Sequence, residues 1–169
     1  NMLCLASAFD RGKPQGSCMA TRERETLLSE LHACRASAQK GSGRNVIISG
    51  EAGIGKSTLL REFGTRIGKG ARLFWGVCDA ISTPRPLGPL QDVAAGLGGR
   101  IQQLIESQEN HSILFSALLK AIEESNAVTV FVIEDLHWAD TATLDLVRYL
   151  GRRMPFLPAL LLLSIRNDE

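Results

Sequence analysis

Gly50-Glu51-Ala52-Gly53-Ile54-Gly55-Lys56-Ser57 decides how this chain is read, because it has the form G-x-x-x-x-G-K-[ST]. Upstream, Asn45-Val46-Ile47-Ile48-Ser49 is a short β-branched run that reads as a buried strand. Downstream, Thr58-Leu59-Leu60-Arg61-Glu62-Phe63 has helical apolar spacing and leads to Ile67, with Gly68 and Gly70 as stop signals. Strand, glycine loop and helix together wrap an anion. The glycines let the backbone turn tightly and aim successive N–H groups inward. Lys56 supplies a mobile point charge, Ser57 a hydroxyl ligand for Mg²⁺, and the helix the positive end of its dipole. The expected nucleotide-binding positions are therefore Gly50, Glu51, Ala52, Gly53, Ile54, Gly55, Lys56, Ser57 and Thr58, with ATP or ADP and Mg²⁺ as the implied cofactors.

Working outward, 169 residues make one domain with room for a core, at 44% hydrophobic and 22% charged. A formal net charge of +1 gives no basic field to attract nucleic acid, so no direct nucleic-acid binding is expected of this segment. Cys4, Cys18, Cys34 and Cys78 form no C-x-x-C pair and read as scattered small apolar residues, which suits a reducing cytoplasm. No apolar run is long enough to span a bilayer, and the opening Asn1-Met2-Leu3-Cys4-Leu5-Ala6 lacks the basic start of a signal peptide.

Residues 1–18 have no period and contain Gly12, Pro14 and Gly16, so they are expected to be a poorly ordered leader. From Thr21, a candidate N-cap, a helix is expected to Lys40 with Leu27, Leu28, Leu31 and Cys34 on one stripe. Further strands are expected at 71–78, 128–133 and 159–164, with helical stretches near 90–97, 101–106 and 113–125. Asp140 is the expected cap of a helix from Thr141 to Leu150, with Leu144, Val147 and Leu150 facing inward and Gly151 as its stop. Alternating strands and helices imply an α/β fold, a three-layer sandwich around a mostly parallel sheet of the P-loop NTPase kind.

Val128 to Ile133 is a near-continuous apolar strand that runs into Glu134-Asp135. Acids at the C-terminal end of such a strand lie where open α/β sheets bind ligands, a Walker B position for the second half of the metal site. The expected metal ligands are thus Ser57 with Glu134 and Asp135; one acid holds Mg²⁺ and the other orients or deprotonates the attacking water. Strand register puts Glu134 on the metal side and Asp135 at the base position, yet aspartate is the commoner metal partner, so the division stays open. His137 reads as structural and Trp138 as cover for the sheet edge. Arg166, directly after the last strand, either reaches the γ-phosphate as a fork of donors or is a surface residue beside Asp168 and Glu169.

Five stretches taken together carry a family resemblance: 19–25, 49–57, Trp75-Gly76 through Pro89, 132–140 with its E-D-L-H-W-A-D string, and 163–166. They resemble the AAA-type ATPase domain of large ATP-binding LuxR-family regulators and related multidomain adenylate cyclases. That group belongs to the STAND signalling ATPases and is similar to origin-recognition-type AAA domains. The resemblance covers residues 19–169. It implies a cytoplasmic, nucleotide-controlled switch with slow Mg²⁺-dependent ATP hydrolysis and self-association in the full-length protein. It also implies a sensor role for Arg166 beside Glu134 and Asp135, and an adenine contact near Arg22-Glu23, weakened because Thr21 stands where glycine is usual. Family members continue into a fifth strand, a lid and effector domains, so the sheet is expected to be truncated after its fourth strand. The phosphate-loop strand would then be an exposed edge. Two rival readings are a small-molecule P-loop kinase and an interaction module that binds nucleotide without turnover. The first lacks its usual N-terminal loop position and Arg-rich lid; the second sits badly with an intact Lys56, Ser57 and acidic pair.

Overall fold

The computed structural model describes residues 2–6, 17–80, 85–107 and 110–167. Five strands, β1 (Met2–Ala6), β2 (Arg44–Ser49), β3 (Ala71–Val77), β4 (Val128–Glu134) and β5 (Ala159–Ile165), form one all-parallel sheet in the order β1-β2-β5-β4-β3. Among the described residues six α-helices accompany them: α1 (Ser17–Gln39), α2 (Lys56–Arg66), α3 (Gly88–Leu97), α4 (Gly99–Glu106), α5 (His111–Glu123) and α6 (Thr141–Gly151).

The period of two along the strands sorts side chains into two cores. Val46, Ile48, Val128, Val130, Val132, Leu160 and Leu162 face Leu27, Leu28 and Leu31 of α1 and Leu59, Leu60 and Phe63 of α2. The alternate positions Phe74, Phe131, Ile133, Leu161 and Leu163 face Leu90 of α3, Leu114 and Leu118 of α5, and Leu146 and Leu150 of α6. This is the three-layer sandwich, and it explains why β4 and β5 read as unbroken apolar runs: both faces are covered. Each fully buried Leu or Phe is worth about 2 kcal/mol relative to exposure.

Local signals behave as their chemistry requires. Gly41 at φ 81° closes α1, with its N–H on the Ala38 carbonyl, and Gly68 and Gly70 follow α2 at φ 75° and 90°. The Asp140 carboxylate caps α6 by accepting from the Thr143 N–H at 3.1 Å.

Four expectations are corrected. The leader expected over 1–18 begins with a strand, β1, and α1 starts at Ser17; residues 7–16 lie outside the described residues. Thr21 is therefore inside α1 rather than its cap. The sheet has five strands, and β2 is internal, paired to β1 on one side and β5 on the other, so the phosphate-loop strand is no edge. On α6 the buried stripe is Thr143, Leu146 and Leu150, while Leu144 and Val147 are half-buried.

Strand order also fixes where a ligand fits. The connection leaving β2 runs through α2 on one face, and that leaving β4 runs through α6 on the other. The C-terminal ends of β2, β5 and β4 therefore flank a crevice of the kind that binds ligands in open parallel sheets.

Candidate functional site

The loop after β2 carries two glycines in the left-handed region, Gly53 at φ 74° and Gly55 at φ 100°, where a side chain would be strained. An added Cβ at either would meet nothing within 4 Å, so the demand is conformational rather than steric. Gly55 is the N-cap of α2, so the first turn of that helix, with Lys56, Ser57 and Thr58, begins directly at the loop. Lys56 is buried at 7% exposure, and its ammonium donates to the carbonyls of Gly50 at 2.6 Å and Glu51 at 2.9 Å. Thr58 is exposed on the first turn of α2.

Glu134 ends β4 at 4% exposure. By the period of two it shares a face with Val130 and Val132, the α2 face, which turns its carboxylate under the loop. There the Ser57 hydroxyl donates to Oε2, across a sequence separation of 77 residues. The indole N–H of Trp75, on β3, donates to the other oxygen, Oε1, at 2.8 Å. Asp135 follows with φ 53°, a left-handed conformation that Asp tolerates better than most residues, and its N–H donates to the Ser164 hydroxyl at 2.9 Å. Ser164 is buried near the end of β5. Arg166, just beyond β5, is half-buried and makes no ion pair among the described residues; Asp168 and Glu169 lie outside them.

The Pro-rich stretch is described only from Arg85, and its Leu87 N–H reaches the Asp140 carboxylate at 3.4 Å. Trp138 is exposed at 38%, not the buried cover expected, because the short 3₁₀ turn Leu136–Trp138 carries it outward. Both ring nitrogens of His137 are buried without a hydrogen-bond partner. Burial, then the charges of Asp140, Asp135, Asp79 and Asp92, push the Cys78 thiol up to about 12, which favours the protonated thiol. Arg24, beside the Arg22-Glu23 element, ion-pairs with Glu62 of α2 at 2.6 Å. Of the residues around Glu134 and Asp135, Trp75 and Ser164 were missed by the sequence reading. Both lie in stretches that carry the family resemblance, but their roles depend on which strands are neighbours.

The family model described as the AAA ATPase domain matches residues 22–163, well over half of the sequence. The chain belongs to the AAA ATPase domain family. AAA ATPase domains are nucleotide-binding, and the fold here is theirs. The Aeropyrum pernix ORC1 protein, solved in complex with DNA, superimposes with a TM-score of 0.63 at 18% identity, over 86% of this chain and 39% of that one. C. elegans PCH-2 gives a TM-score of 0.51 at 14% identity, over 86% and 38%. Among curated proteins, uncharacterized protein R02095 of Rhizobium meliloti (strain 1021) is 26% identical over 85% of this chain, which spans only 18% of that relative's length. Among the described residues, no helix of this AAA domain is long and apolar enough to cross a membrane.

Proposed function

We propose that this AAA domain is a regulatory switch that binds ATP or ADP with Mg²⁺ at residues 50–58 and hydrolyses ATP slowly. The observation that carries this reading is the meeting of the Ser57 hydroxyl with the Glu134 carboxylate, which joins the glycine loop to the acidic strand end. Two hard oxygen donors at one point suit Mg²⁺, which prefers a hydroxyl, a carboxylate, phosphate oxygens and water. Ser57 and Glu134 would hold the ion, which would supply charge neutralisation on the phosphate oxygens when bound.

The chain's own groups do the rest. Main-chain amides of Gly53 to Ser57 cradle the phosphates, and Lys56 exchanges its loop carbonyls for β- and γ-phosphate oxygens. Asp135 is the better placed of the two acids to orient water, since both oxygens of Glu134 are already engaged. Ser164 fixes the Asp135 backbone. Arg166, just beyond β5, is assigned to the γ-phosphate side as a donor fork. In a longer regulator, the ATP state would favour self-association through this module, with differential affinity for ATP and ADP setting the population.

Calorimetric titration with ATP and ADP, with and without Mg²⁺, followed by phosphate release, tests the reading. Mg²⁺-enhanced ATP binding with slow release is expected. No binding of either nucleotide would refute it, and phosphoryl transfer to a metabolite would replace it with a kinase.

A further inference from the structure

Glu134 is a buried acid whose two oxygens are held by different elements, one by Ser57 of α2 and one by Trp75 of β3. We propose that Trp75 is a positioning residue for the Mg²⁺ site: its indole N–H pins Oε1 of Glu134 so that Oε2 stays aimed at Ser57. This inference rests on the nucleotide-binding reading above.

An indole is suited to the task. It donates one hydrogen bond, accepts none and does not titrate, so it holds a carboxylate oxygen in one orientation across the working pH range. Its own position is fixed by the sheet. Trp75 lies opposite Val132 in the β3–β4 ladder, two residues before Glu134 and on the same face. Helix α2 braces it from the other side. Ser57, Arg61 and Gly64 fall at i, i+4 and i+7, on one face of that helix. Ser57 contacts Glu134, the Arg61 guanidinium lies 5.9 Å from the Trp75 ring centroid, and Gly64 lies against Leu73 and the edge of the ring. A Cβ at Gly64 would stand 3.7 Å from Cζ3 of Trp75 and 3.0 Å from Leu73. One helix face thus carries a metal-ligand hydroxyl and also the wall that sets the acid's support.

A purely structural tryptophan would use the ring's area alone, and Trp75→Phe keeps most of that area while deleting the N–H. In Trp75→Phe, the Mg²⁺ concentration that half-saturates nucleotide binding should rise about tenfold. ATP affinity measured in chelator should stay within about twofold, and cooperative unfolding should persist. The shift should vanish in a Glu134→Gln background, since the two act as one unit. The chain has two tryptophans, so Trp138→Phe leaves Trp75 as the only one. Its emission should change when Mg²⁺ is added to the nucleotide complex, which gives a readout that needs no turnover and no variant at position 75. Unchanged Mg²⁺ dependence in Trp75→Phe, equal loss of ATP affinity with and without Mg²⁺, or silent Trp75 emission would each overturn the proposal. Absence of ATP binding by the parent protein would instead sink the nucleotide reading and take this inference with it.

Discussion

Lys56 is only 7% exposed, and its ammonium meets two loop carbonyls. The same geometry makes it a local test of the phosphate cradle. Lys56→Ala is expected to weaken ATP binding about 10- to 100-fold, the usual range for losing a charged hydrogen bond, in a calorimetric titration. The acidic pair separates by geometry. Glu134→Gln is expected to raise the Mg²⁺ needed for binding, because its carboxylate faces Ser57. Asp135→Asn should leave binding nearly intact and cut phosphate release by about 10²-fold, the scale of a lost general base. Equal effects of the two on Mg²⁺ dependence would contradict that division. Backbone adds a check at the same residue: Asp135 sits at φ 53°, a region Asn shares but β-branched residues avoid. Asp135→Val should therefore lose about 1–2 kcal/mol of stability in denaturant unfolding, where Asp135→Asn loses little.

At the scale of elements, a close joint lies between β3 and the start of α3. A Cβ on Gly76 would lie 2.5 Å from the Pro89 carbonyl oxygen and 2.6 Å from its Cβ, and the obstacle is backbone and a ring rather than a flexible tip. Gly76→Ala is thus expected to destabilise the domain by about 1–3 kcal/mol in a urea titration, the cost of overpacking, and a neutral result would show that α3 can slide. Gly43 is similarly closed in, since its Cβ would run into the carbonyl oxygens of Met154, Leu157 and Ala159. Asp140 joins two elements, capping α6 through Thr143 and holding the Leu87 N–H. The cap was legible because its chemistry is local; the Leu87 contact was not, since it spans 53 residues.

For the molecule as a whole, the titration of His32 couples to folding in the neutral range. His32 lies tilted against Phe63 with centroids 5.0 Å apart, and burial, then Arg35 and Arg66, lower its pKa below the ordinary 6.5. The folded state disfavours the proton that the unfolded chain accepts. Stability is then complete above about pH 6.5 and falls as the pH drops through that value toward the lower folded-state pKa. Urea midpoints between pH 7.5 and 5.5 should decline less steeply in His32→Gln than in the parent protein. Much of this architecture was written in short-range pattern. The glycine loop, the helix stripe of Leu27, Leu28 and Leu31, and the apolar runs of β4 and β5 each draw their meaning from neighbours within a turn or a strand, and the order of those runs names an α/β sheet. Other features depend on which strands lie side by side. Pairing of β1 with β2, the indole on Glu134 across 59 residues and the Ser164 hydroxyl under Asp135 across 29 exist only once the sheet has closed. Periodicity records which face a residue takes, but the partner waiting on that face is set by the crossing connections, and that is why the glycine loop was legible in the chain and the contacts beneath Glu134 were not.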